Sequence, residues 1–261
     1  MLKLLSMPKN SVPLIIVSLL LTHFSFSQGT DSTKELFHFG GAAMVTNNGI
    51  SLIPTFSLGE PAAIFGVFMG KRRLSFEPEF RFSLEGKPWT FLFWWRYKLV
   101  EANKFKFNIG VHPALNFRTV TTEVNGETKE TIVTRRYVAG ELSPNYFVTK
   151  NISLGIYYLY SHGIDREAVR NTHFLTFNTN LSNIRLFDAV FLRITPQVYY
   201  LKQNNENGFY VTSTLALTKV RFPLSIATTM NKTIRTEIIA SKDFVWNVTL
   251  IYSFNKFYAE P

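Results

Sequence analysis

A closed antiparallel β-barrel of about twelve strands, greasy face turned to lipid, is the all-β fold class that this sequence predicts. Three observations predict it. The last strand, 244–254, sets Phe244, Trp246, Val248, Leu250, Tyr252 and Phe254 at every second position, with Val245, Asn247, Thr249, Ile251 and Ser253 between them. Alternate side chains of a strand leave on opposite faces, so one face is apolar and the other mixed. The chain opens with an export segment: Lys3 and Lys9, an apolar stretch over 12–21, then Ser25-Phe26-Ser27, with the cut expected before Gln28. Aromatic residues make up 15% of the chain, with 25 Phe, and the mature part has no long apolar run. That balance suits a wall solvated by lipid and ringed by aromatic girdles.

The organisation expected is a signal peptide over 1–27 and one barrel domain over 28–261. The apolar stretch of the leader is too short and too near the cut to serve as an anchor. There is no Cys, which excludes a lipid-modified cysteine, disulfides, thiolate catalysis and Cys-ligated metals. Removing Lys3 and Lys9 from the 28 basic residues leaves 26 against 18 acidic ones, a formal +8. For an exported chain the counter-charges expected are lipid headgroups and lipopolysaccharide phosphates rather than nucleic acid.

The elements follow from alternating runs separated by turn-forming clusters. The runs are 50–58, 63–70, 74–84, 89–100, 105–119, 132–148, 152–162, 173–183, 190–201, 209–218, 224–231 and 244–254. That is an even number, as single-chain bacterial barrels require. A further run, 37–46, precedes them and ends in Asn47-Asn48-Gly49, a turn signal. It is read either as the lower part of a long first strand or as a separate segment. The connections alternate: 71–73, 101–104, 150–151, 185–188 and 219–223 are short and fall on the side where the last strand ends. On the other side 121–131, 163–172, 202–208 and 232–243 are longer and more polar, while 59–61 and 85–88 are tight. Short periplasmic turns and longer outward loops are the asymmetry of an outer-membrane barrel.

The faces have the same polarity throughout. Phe76, Pro78, Phe80 and Phe82 oppose Glu77, Glu79, Arg81 and Ser83; Phe91, Phe93, Trp95 and Tyr97 oppose Thr90, Leu92, Trp94, Arg96 and Lys98. Phe105, Phe107, Ile109 and Val111 oppose Lys106, Asn108, Gly110 and His112. Arg or Lys on the lipid side costs about 2–4 kcal/mol near the midplane, so the charged faces belong in the lumen. Pro54, Pro78, Pro113, Pro144 and Pro196 fall within runs on the apolar side, where a proline supplies no ladder donor.

The export start ending in Phe-Ser-Gln, the absence of Cys, the aromatic alternation and the 246–254 strand resemble outer-membrane β-barrel proteins of Bacteroidota. The stretch 76–97, with Glu85-Gly86-Lys87-Pro88-Trp89 at its turn, looks like a feature of a subgroup of them with no assigned role. The resemblance implies insertion in the outer membrane, with Phe254 matching the aromatic ending that such barrels offer to the insertion machinery. Here 255–261 continues past it. It transfers no catalytic or binding residue.

Chemistry concentrates in Glu77, Glu79, Arg81, Arg96, Lys98 and Lys106, on three consecutive strands of the lumen side. Rings of charge set selectivity in pores, but mixed signs equally fill a small barrel with ion pairs. Secondary candidates are His112, Glu141 and Arg193. A lipid hydrolase needs Ser and His on one face with an orienting partner. Ser161 and His162 are adjacent and face apart, while His112 would meet Ser143 across the neighbouring strand, oriented by Asn116 or Asn145. His38, His112, His162 and His173 show no metal-ligand spacing, and no cofactor is expected. The first functional reading is a narrow channel or passive transporter for small polar solutes, in a monomer. The alternatives are a filled barrel acting through its outward loops and, behind it, a lipid-modifying hydrolase.

Overall fold

The computed structural model describes residues 36–124 and 127–259; the expected export segment lies outside them. Within that span the chain forms twelve strands: β1 (Leu36–Thr46), β2 (Ala62–Lys71), β3 (Leu74–Ser83), β4 (Pro88–Glu101), β5 (Phe105–Val124), β6 (Glu127–Phe147), β7 (Ile152–Gly163), β8 (Asn171–Phe187), β9 (Val190–Gln203), β10 (Glu206–Lys219), β11 (Leu224–Thr236) and β12 (Phe244–Ala259). Each pairs antiparallel with its chain neighbours, and β1 closes on β12 from Leu36↔Ala259 to Thr46↔Thr249. Closure leaves no edge strand.

Eleven of the expected runs lie within or across these strands, but the first does not. Residues 50–58 are no strand; they belong to L1, the 47–61 connection, and contain a single 3-10 turn, Pro54–Phe56. Run 37–46 is the true first strand. The count of twelve therefore holds through an exchange of one run for another. The expected loop 121–131 is also corrected. Apart from its tip it is strand, because β5 and β6 pair out to Val124↔Glu127. Their neighbours stop pairing at Asn116 on the β4 side and Tyr137 on the β7 side, so a two-stranded ribbon continues past the ladder. Its Thr- and Val-rich sequence favours that extended form.

The polarity of the wall is the one alternation implies. Trp95, Phe177, Phe209, Trp246, Leu250 and Tyr252 are exposed on the outside, while Trp94, Glu141, Phe174, Tyr199 and Asn247 are buried inside. Only lipid solvates such an exterior without cost.

The strand prolines have a local explanation. The β2–β3 ladder skips from Gly66↔Glu79 to Met69↔Phe76, around Pro78. Corresponding gaps flank Pro113 in β4–β5, Pro144 in β6–β7 and Pro196 in β8–β9. On its other side each proline keeps its partner: Phe93, Val138, Phe107 and Ser213 respectively. A strand N–H addresses one neighbour only, so each missing donor opens one ladder and leaves the other intact. Pro54 is outside any strand, at the start of the 3-10 turn.

Candidate functional site

L1 enters the barrel at the end opposite to the chain termini. Its neck is closed by Gly49 N–H donating to Glu60 O (2.7 Å) and Leu58 N–H to Gly49 O (2.8 Å). A Cβ on Gly49 would stand 3.1 Å from the Trp89 ring and 3.2 Å from Ala62 Cβ, so glycine permits the close approach. Three wall strands hold the 3-10 turn from the side. The Trp89 indole donates to Phe56 O (2.8 Å), Arg118 to Ser57 O (3.0 Å) and also to Thr55 O, and the Gln203 amide to Thr55 Oγ1 (2.7 Å). Ile53 is buried in a cluster with Trp94, Leu159, Phe174, Tyr199 and Tyr210. Burying one such side chain contributes about 2 kcal/mol and each hydrogen bond about 1 kcal/mol, enough to seat the loop.

Trp89 gets there through a bulge. The β3–β4 register passes from Arg81↔Thr90 to Phe82↔Pro88, which makes Trp89 the extra residue. Strict alternation would send it outward; the bulge re-aims it, and it is fully buried. The sequence did carry one signal against a strand at 50–58, Pro54 in its centre.

Toward the terminal end, below L1, lies a cavity of about 560 Å³. Ser51, Leu52 and Ile53 contribute to its lining from L1, and Glu77, Glu79, Arg81 and Arg96 line it from the wall. Arg96 Nε donates to Glu141 Oε1 at 2.6 Å, its Nη1 also bonds Glu77, and its guanidinium stacks 4.3 Å from the Trp94 ring centre. Tyr157 Oη donates to the second Glu141 oxygen at 2.7 Å. Arg81 Nε donates to Glu79 Oε1 at 2.6 Å. Three carboxylates thus face two guanidiniums, with one negative charge in excess.

Gly110 makes the longest of these links possible. The register runs Arg96↔Gly110↔Glu141, so Arg96 reaches Glu141 across β5. A Cβ on Gly110 would lie 2.8 Å from Glu141 Oε1. The missing side chain is where the carboxylate rests.

The six candidates read from the sequence therefore divide. Glu77 and Arg96 join Glu141, a secondary candidate, in one network; Glu79 and Arg81 form a second pair. Lys98 and Lys106 belong to neither: both reach Glu101, at 3.4 and 3.8 Å, and all three are largely exposed near the terminal end. Arg193 is exposed on β9, opposite Ala216 and away from the network. His112 is buried with its ring 3.9 Å from Trp94, and its Nδ1 lies 3.2 Å from Pro113 O. It does not meet Ser143. The register sets His112 against Ala139 and Ser143 against Asn108, four residues further along the strand. Among the described residues no cluster of His, Asp or Glu has metal-binding geometry.

No protein-family model and no curated sequence matches this chain. Among solved structures it is similar to the KdgM porin in complex with disordered oligogalacturonate, at 11% identity and TM-score 0.49, over 83% of this chain and 99% of that one. It is similar to the NanC porin at 10% identity and TM-score 0.47, over 85% and 100%. A loop-deletion mutant of OmpT, an outer membrane protein of Vibrio cholerae, follows at 8% and TM-score 0.38, over 85% and 100%. At these values the likenesses lend no residue role and no solute to this chain.

Proposed function

We propose that this protein is a narrow outer-membrane channel, or passive transporter, for small polar solutes, with L1 as its constriction. The observation that carries the reading is the charged layer itself. Glu77, Glu79, Arg81 and Arg96 line a cavity of about 560 Å³ instead of being sealed in packed protein. Ionisable groups held at membrane depth and turned to a cavity mark a solute path. The four side chains that line the cavity balance, and the third carboxylate, Glu141, is buried behind Arg96, so the sign of the path turns on Arg96.

A second reading, a filled barrel acting through its outward segments, is favoured by one observation. Thr172, Leu201, Tyr210 and Trp89 are almost fully buried beneath L1, whereas Ser143, Asn145, Asn180 and Thr195 nearer the terminal end keep partial exposure. The lumen is thus packed at one end and open at the other.

Planar-bilayer conductance separates the two. Wild type and a variant with 50–58 replaced by a short Gly-Ser turn are compared, with Arg96→Gln beside them. The channel reading expects discrete steps in wild type, larger ones without L1, and a shift toward cation selectivity in Arg96→Gln. Folded protein that stays silent both with and without L1 would establish the filled barrel.

The remaining parts of the reading are a cleaved leader over 1–27, an outer-membrane location, and membership among barrels of the Bacteroidota kind. The lipid partners would be bilayer and lipopolysaccharide, and β12 would be offered to the insertion machinery. The exposed row from Phe244 to Phe254 supports these contacts. A complete ladder with no free edge in the closed wall supports a monomer.

A further inference from the structure

Between L1 and the β4–β7 wall lies a second, smaller cavity of about 120 Å³. Ser51, Arg81, Leu92, Trp94 and Leu159 line both this pocket and the larger cavity, so the two adjoin. Most of its surface is apolar or aromatic, with Ile53 and Phe56 of L1 on one side and Leu92, Trp94, Ala114 and Ala139 on the other. Its other polar groups include His112, Asn116 and Ser161, all buried. The register places His112, Ala139 and Ser161 in one row across β5, β6 and β7, with the small Ala139 between the two polar side chains.

Charge decides what such a pocket takes. Arg81 is the one permanently charged residue in its lining; the carboxylates Glu77, Glu79 and Glu141 are not part of it. Arg81 Nε is engaged by Glu79, which leaves its terminal nitrogens for a ligand at the boundary of the two cavities. A guanidinium recognises a carboxylate by two parallel hydrogen bonds, and a cation would enter such a low-dielectric space unpaired. Size sets the body of the ligand. An engineered apolar cavity of about 150 Å³ holds benzene, and this pocket of about 120 Å³ opens into the larger cavity, so one ring or a short branched chain is the most that it takes.

We propose that this pocket binds a small carboxylate with a ring-sized apolar body, the carboxylate on Arg81 and the body against Trp94, Leu92 and Ala139. A hydroxyl on the far side of the body would meet His112, Asn116 or Ser161. The site is distinct from the Arg96–Glu141 network, and its occupancy does not depend on whether the barrel conducts.

The test is calorimetric titration of the detergent-purified, folded protein with benzoate, benzyl alcohol and benzylamine, probes of one size and three charges. Benzoate is expected to bind, benzyl alcohol about tenfold more weakly, and benzylamine not at all. Arg81→Gln should bring benzoate down to the level of benzyl alcohol without changing benzyl alcohol itself. Ala139→Leu, which fills the pocket and leaves Arg81 in place, should abolish both. The proposal is overturned if wild type binds no benzoate, if benzylamine binds as well as benzoate, or if Ala139→Leu binds benzoate like wild type. Since the readout is binding, a silent bilayer with intact benzoate binding would sink the channel reading alone.

Discussion

Strands β3 to β7 and strands β8 to β12 line the same lumen with different chemistry. The first wall presents Glu77, Glu79, Arg81, Arg96 and Glu141 with Trp94 and Tyr157, tied by Arg96, which crosses between strands to Glu77 and Glu141, and by the Arg81–Glu79 pair within β3. The second presents mainly hydroxyls and amides, with Arg193 exposed near the terminal end: Thr214 Oγ1 meets Thr229 Oγ1 at 2.9 Å, and Tyr199 Oη donates to Asn231 Oδ1 at 2.9 Å. Three of its buried polar atoms, Thr176 Oγ1, Gln203 Oε1 and Thr212 Oγ1, have no protein partner. A charge costs more to leave so, and Arg135 on β6, whose Nε also has no partner, still reaches Glu167 through Nη2 at 3.7 Å. In a lumen of reduced dielectric an unpaired carboxylate costs several kcal/mol, an unpaired hydroxyl about 1–3. The charged wall must therefore be specified in register, and the neutral wall tolerates looser matching.

That contrast can be broken or sharpened by mutation. The largest effect is expected from Arg96→Gln, which strands Glu141, 3% exposed, and Glu77. It should lower stability by about 3 kcal/mol, read as the temperature at which the folded, fast-migrating gel form is lost. Thr214→Val on the neutral wall should cost only about 1 kcal/mol. Equal losses would end the distinction between the walls. Gly110→Ala should fall between them, at about 1–3 kcal/mol, because its methyl would stand 2.8 Å from Glu141 Oε1 and push the carboxylate off Arg96. Adding Glu141→Gln should relieve part of that cost, since the double change removes the crowded charge. A fully additive double mutant would deny that Gly110 acts through Glu141.

The smallest effect lies outside the membrane, in the connection between β7 and β8. Asp165 accepts from the Arg136 guanidinium (2.6 Å) and from its backbone N–H (2.6 Å), and these bonds hold its carboxyl below the ordinary range. The group is exposed, so the contribution is small. Its folded-state proton affinity is depressed, so the contact is fully present above the unfolded value near about 4 and is lost as pH falls through the folded one. Proteolytic cutting of the 164–170 loop should rise in that acid window for wild type. In Asp165→Asn it should be fast already at neutral pH; a variant indistinguishable from wild type at both ends would remove Asp165 from the loop's support.

How much was legible beforehand follows from what a side-chain pattern encodes. Alternation depends on neighbours in the chain, so it placed Glu77, Arg96 and Trp246 on their correct faces without any knowledge of the fold. It misread 50–58, since apolar residues buried inside a lumen look the same in sequence as apolar residues facing lipid. It also missed Trp89, because one extra residue in a bulge reverses a face. The grouping of Arg96 with Glu141 was out of reach for another reason. The two are 45 positions apart, and only the β4–β5–β6 register brings them together over Gly110.

Pattern along the chain was enough to show that it forms strands, which face of each is greasy, and that Glu77, Glu79, Arg81, Arg96, Lys98 and Lys106 share one side. These are consequences of a two-residue period and of what lipid refuses to solvate. The tertiary structure alone decided that L1 enters the lumen, that Lys98 and Lys106 sit apart from the charged layer, and that His112 lines a small pocket beside L1 rather than meeting Ser143. Those outcomes rest on register and closure, which sum weak pairings over the whole barrel and are written at no single position.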